Sequence, residues 1–172
     1  MKLLVIDIQK GITDNRLFNF EAFIDNTTRI INAARNNQIE VIYFQHDDGP
    51  GTGFSIGDKD FEIAEQVIPK DKERIFIKSI NSCFGNKDFA DYVKNDNTLM
   101  IIGLQTNFCI DATVKSAFER GYKVIVPQGA NSTFDNDYMT GEMTCKYYND
   151  MMWPNRFATC VSVDEAIKLM ES

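Results

Sequence analysis

The sequence predicts a parallel α/β sandwich, on three observations. Short runs are apolar without alternation, segments of helical spacing separate them, and glycine or proline marks the junctions. An unalternating apolar run is a strand buried on both faces, as in a parallel sheet covered by helices. The βαβα order then requires right-handed crossovers.

The strands are expected at residues 3–8, 40–45, 74–77, 99–102 and 123–126. Helical spacing lies between them, at Ala22, Ile24 and residues 30–34, then at 63–67, 89–93 and 110–118. Gly121 closes the helix before the fifth strand and Pro127 stands at that strand's exit. Residues 157–163 read as a sixth, shorter strand, and Asp164 falls in the first turn of a final helix ending at Met170. The sheet is thus expected to have about six strands. The glycine-rich stretch 47–57, DDGPGTGFSIG, follows the second strand. It fits neither a dinucleotide fingerprint, which belongs after the first strand, nor a P-loop, which ends in G-K-[ST]; it reads as a flexible loop bordering a site.

A chain of 172 residues with 44% apolar and 25% charged residues has the length and composition of one globular domain, spanning 1–172. A net charge of -7 with no basic cluster argues against nucleic acid as a partner. The opening MKLLVIDIQK is too briefly apolar for a secretory signal or a membrane span and carries an Asp inside the run. Four cysteines without C-x-x-C spacing support neither a disulfide scaffold nor a thiolate zinc site. Reduced thiols in a cytoplasmic protein are expected.

Ligands of open parallel sheets bind beyond the carboxyl ends of the strands. Asp7 lies near the end of the first strand, Lys78 ends the run IFIK, and Cys109 follows the fourth strand through GLQTNFC at the start of a helical pattern. A buried carboxylate needs a partner or a task. A thiol attacks as thiolate, and a cation and a helix N-terminus both lower its pKa. Asp7 as proton acceptor, Lys78 as charge holder and Cys109 as nucleophile therefore compose a cysteine hydrolase. Cys83, Cys145 and Cys160 read as small buried apolar residues. His46, the one histidine, ends the second strand and reads as a hydrogen-bonded residue there, with direct contact to substrate as the alternative. No G-x-S-x-G occurs, so a serine hydrolase is not supported.

Four stretches, LLVIDIQKGI, VIYFQHDD, IFIKSINSCF and IIGLQTNFCIDATVKSAFERGYKVIVPQGA, match a D-x-Q strand, a second strand, a K-S-x-x-S-x-F segment and a nucleophile region. In these the chain resembles, over nearly its whole length, the isochorismatase-like cysteine hydrolases. That superfamily includes nicotinamidases, N-carbamoylsarcosine amidohydrolase and ureidoacrylate amidohydrolases. The resemblance implies a three-layer α/β/α fold with a Rossmann-like sheet and a triad of Asp7, Lys78 and Cys109. It also implies a non-proline cis peptide between Leu104 and Gln105, with the amides of Gln105 and Cys109 as an oxyanion hole.

Two departures stand out. Metal-using nicotinamidases carry Asp-x-His and further histidines after the second strand, where this chain has QHDDG and no other histidine, so no metal and no cofactor are expected. After the fifth strand PQGANST replaces the family's acidic pair. Gln9, Phe18, His46, Phe54, Phe84, Phe108 and Trp153 are the candidate pocket wall. The expected activity is hydrolysis of a small amide or related carbonyl compound through a thioester on Cys109. The alternatives are vinyl ether hydrolysis of the isochorismatase type, which needs no thiol, and a binding protein on a retired scaffold. Homo-oligomers are common in the superfamily and are expected here.

Overall fold

A computed structural model describes residues 1–171. Seven parallel strands form one sheet: β1 (Lys2–Ile6), β2 (Glu40–His46), β3 (Arg74–Lys78), β4 (Thr98–Leu104), β5 (Lys123–Pro127), β6 (Asn131–Ser132) and β7 (Thr159–Val161). Their order is β3-β2-β1-β4-β5-β7, with β6 beside the end of β4. The order reverses between β1 and β4, which places a ligand-binding crevice at the carboxyl ends of those strands.

The side-chain period of two divides β1, β2 and β4 between two cores. Leu3, Val5, Val41, Tyr43, Met100 and Ile102 face α1 (Phe20–Asn36) and α5 (Val163–Met170), which bury Phe23, Ile30, Ile31, Ala34, Val163 and Ala166 against them. Leu4, Ile6, Ile42, Phe44, Leu99 and Ile101 face the opposite way, onto Phe89 and Val93 of α2 (Lys87–Val93) and Val114 and Ala117 of α3 (Asp111–Glu119). This double burial makes three layers, and it explains why the strands lack alternation.

The structure corrects four expectations. A seventh strand, β6, is two polar residues long and has no apolar run to announce it. Residues 63–67 form no α-helix: only a 3-10 turn, Glu65–Val67, precedes Pro69, where Ala64 and Val67 are buried. The third run lies at the edge of the sheet, so Ile75 and Ile77 are 47% and 40% exposed rather than covered on both faces. An additional helix, α4 (Gly141–Lys146), is capped by the Thr140 hydroxyl and runs on into a π-helical turn, Tyr147–Met152.

β1 ends at Ile6 because Asp7 takes a left-handed φ of 52°, a conformation that Asp tolerates better than most residues. Opposite Ile6 in register, Gly103 has φ 127° and lies so close that a Cβ there would stand 2.0 Å from the Ile6 carbonyl oxygen. Only glycine lets β1 and β4 approach at this point. No helix among the described residues is long and apolar enough to cross a membrane.

Candidate active site

Asp7, His46, Lys78 and Cys109 converge at the carboxyl ends of β1, β2, β3 and β4. His46 and Lys78 are direct register partners, and Asp7 donates its backbone N–H to the Phe44 carbonyl at 3.1 Å. Cys109 lies in a π-helical turn, Thr106–Ile110, between β4 and α3. The peptide bond entering that turn, Leu104–Gln105, is cis.

Lys78 is the hub. Its side chain is without solvent contact, and Nζ is 2.7 Å from Asp7 Oδ2, 3.0 Å from His46 Nδ1 and 3.3 Å from Cys109 Sγ. On its other nitrogen His46 is 3.1 Å from Asp48 Oδ1. Asp7 is 1% exposed, and its second oxygen, Oδ1, has no hydrogen-bond partner. That atom is an acceptor left open within the buried cluster.

Burial is the largest influence on Lys78 and by itself would lower its pKa, but the charge and hydrogen bond of Asp7, together with smaller contributions from Cys83 and Cys109, hold the ammonium above its ordinary value. Burial raises the Asp7 carboxyl, against the pull of Lys78. Burial and then the Asp7 charge push the Cys109 thiol up to about 12. The expected lowering by a cation and a helix end is thus reversed, and Cys109 rests as a thiol beside the Asp7–Lys78 pair.

Asp7, His46 and Cys109 offer a carboxylate oxygen, an imidazole nitrogen and a sulfur within 4.8 Å of one another, a donor set that a divalent ion could use. The Lys78 ammonium stands within hydrogen-bonding distance of all three. A metal here would have to displace a positive charge, so the residues fit a proton-bearing centre better than a metal centre.

Cys109 opens onto a pocket of about 320 Å³ whose walls include His46, Phe54, Phe108, Leu104 and Gln105. Phe54 comes from the glycine-rich loop, which therefore does border the site. Four candidate wall residues lie elsewhere. Phe84 is buried against Phe89 and Tyr122, with Arg120 over its ring. Trp153 is fully buried in the α2–α3 core, where its indole N–H donates to Asp111 at 2.9 Å. Phe18 lines a separate hollow with Gln128 and Lys146. Gln9 is fully buried and grips the His46 backbone.

Sequence reasoning missed Ile12, Asp48 and Asn81, all on the pocket wall. Asn81 brings Oδ1 to 3.8 Å from Cys109 Sγ; its place three residues after Lys78 was a readable signal. The PQGANST segment packs against the turn that carries Cys109. Asn131 accepts from the Thr106 hydroxyl at 2.7 Å and pairs with Asn149, while the Thr133 hydroxyl lies 3.0 Å from Gln105 Oε1.

The family described as Isochorismatase domain matches residues 2–165. The chain belongs to the isochorismatase family. A relative, the isochorismatase family protein YddQ of Bacillus subtilis (strain 168), is 33% identical over 76% of this chain and 77% of its own length. Streptothricin hydrolase of Streptomyces noursei is 25% identical over 77% of this chain and 54% of its own length. A crystal structure of an isochorismatase family protein superposes with a TM-score of 0.85 at 27% identity, covering 94% of this chain and 97% of that one. In this isochorismatase-family hydrolase the sheet's switch point carries a thiol, an ammonium and a carboxylate in contact, a set able to perform nucleophilic acyl transfer.

Proposed function

We propose that the protein is a cysteine-dependent hydrolase that cleaves a small neutral or cationic amide, or a related carbonyl compound, through a thioester on Cys109. The observation that carries this reading is the buried Lys78 ammonium, which stands behind the pocket wall and bonds at once to two residues of that wall, Asp7 and Cys109. Cys109 Sγ attacks the carbonyl carbon while its proton passes to Asp7, whose Oδ1 is unpartnered. The amine leaves with that proton; Asp7 then takes one from the water that attacks the thioester carbonyl and returns it to Cys109 Sγ as the C–S bond breaks, releasing the carboxylic acid and restoring the thiol. The main-chain amides of Gln105 and Cys109 serve the developing oxyanion.

Vinyl ether hydrolysis of the isochorismatase type is disfavoured by charge. Among the described residues, those lining the pocket include Asp7 and Asp48 and no lysine or arginine to receive a substrate carboxylate. The reading includes a cytoplasmic location, supported by four unbridged cysteines, and self-association, supported by the open β3 edge where Ile75 and Ile77 are 47% and 40% exposed, with Ile80 just beyond the strand 55% exposed.

The test is a screen of small amides and ureas for ammonia release, comparing wild type with Cys109→Ala, together with a search for an acyl group on Cys109 after an acid quench. Turnover that survives in Cys109→Ala would sink the reading, and so would a binding protein's profile, with no acyl transfer at all.

A further inference from the structure

We propose that His46 is a positioning residue for the Lys78 ammonium: a neutral imidazole with Nδ1 bare, it takes the third N–H of Lys78 and so turns the other two onto Asp7 and Cys109. The inference rests on the reading of Cys109 as nucleophile. An ammonium has three donors and no acceptor. Lys78 Nζ has three neighbours at bonding distance, Asp7 Oδ2 at 2.7 Å, His46 Nδ1 at 3.0 Å and Cys109 Sγ at 3.3 Å. Its side chain is without solvent contact, so a missing neighbour would leave a buried N–H unsatisfied.

With Lys78 as the ammonium, the contact selects one tautomer. Nδ1 facing an ammonium must present its lone pair, which leaves the hydrogen on Nε2, where Asp48 Oδ1 waits at 3.1 Å. A carboxylate that receives one imidazole N–H fixes the other nitrogen as acceptor, by the logic that holds metal-bound histidines in one form. The backbone is fixed as well. Gln9 Oε1 accepts the His46 N–H at 2.8 Å and Gln9 Nε2 donates to the His46 carbonyl at 3.1 Å. His46 is not the base of the thiol: its Nδ1 is 3.9 Å from Sγ and its lone pair is engaged, whereas Asp7 Oδ1 is free to accept.

The chain has one histidine, so its imidazole is read without ambiguity. In protein labelled with ¹⁵N-histidine at neutral pH, the expected spectrum is that of the neutral ring protonated at Nε2, with the Nδ1 signal displaced in Lys78→Met. A ring protonated at Nδ1 overturns the proposal. The kinetic arm uses p-nitrophenyl acetate as the acyl donor, reading the first p-nitrophenol burst and the acetyl group on the Cys109 peptide. His46→Leu, which fills similar space without an acceptor, is expected to slow acylation at least about tenfold, and His46→Asn, which keeps a short acceptor, to regain most of that loss. A folded His46→Leu slowed less than about tenfold, or a His46→Asn as slow as His46→Leu, overturns it. The imidazole spectrum needs no variant of His46 and decides the matter even where His46→Leu does not fold. A burst that persists in Cys109→Ala would instead overturn the thioester reading itself.

Discussion

The side chain of Gln9 clasps the backbone of His46 from both sides, accepting its N–H at 2.8 Å and donating to its carbonyl at 3.1 Å. The left-handed turn at Asp7 takes the main chain away from β2, and this amide supplies the rung that β1 no longer can. Gln9→Leu leaves both backbone groups without that partner, and a buried orphan of this kind costs about 1–3 kcal/mol. Urea unfolding is expected to show a loss of at least about 2 kcal/mol, and a midpoint equal to wild type would refute the role.

Asp7→Asn is expected to move two readings in opposite directions. Acyl transfer falls at least about a hundredfold because the proton acceptor is gone. Alkylation of Cys109 by iodoacetamide accelerates, because burial and then the Asp7 charge are what hold the thiol at about 12. Acyl transfer at a near-native rate in folded Asp7→Asn would remove Asp7 from the proton path.

In the wild type, that raised thiol pKa means little thiolate at neutral pH. Labelling of Cys109 in the free enzyme should therefore rise about tenfold per pH unit from neutral into the alkaline range. Peptide mass spectrometry of timed reactions measures it, and a rate already at plateau below pH 8 would contradict the burial argument.

Lys78→Met strips the cation from a carboxylate that is 1% exposed. Breaking a buried pair this way costs about 3–5 kcal/mol, whereas removing both charges together is far milder. Asp7→Asn combined with Lys78→Met should thus recover much of the stability lost in Lys78→Met alone, while staying inactive. Denaturant midpoints that simply add would show the two residues to be energetically independent.

Gly103→Ala should be far more harmful than Gly51→Ala. The first drives a Cβ to 2.0 Å from the Ile6 carbonyl oxygen, while the second, also at positive φ, meets nothing within 4 Å. The expected contrast is loss of folded protein against a cost of about 1 kcal/mol. Soluble yield and thermal melting compare them directly.

Chelation should leave turnover unchanged, since the Lys78 ammonium already stands among Asp7, His46 and Cys109. Activity lost to a chelator and regained with zinc, iron or manganese would overturn this.

Much of the scaffold was legible because strands buried on both faces must be apolar throughout, and β1, β2 and β4 are. Asp7 and Lys78 stood out as charges attached to such runs, and Cys109 as a thiol just beyond one. What could not be read depends on packing across the sheet. Phe84 and Trp153 are as apolar in the core as they would be on a pocket wall, and nothing local separates the two homes. The α4 helix is six residues long and held by its Thr140 cap, too short for a periodic signal. Asp48 matters for the bond it makes to His46 and not for its spacing.

The four groups of the centre hang from four separate strand ends, and adjacent residues of a strand are about 3.3 Å apart and point to opposite faces. A slip of one residue in β1, β2, β3 or β4 would carry its group out of bonding distance and turn it to the other layer. The cluster is consequently a proofreader of folding: a chain that collapsed with one strand misthreaded could still be dense and helical, yet it would not bring these four groups together.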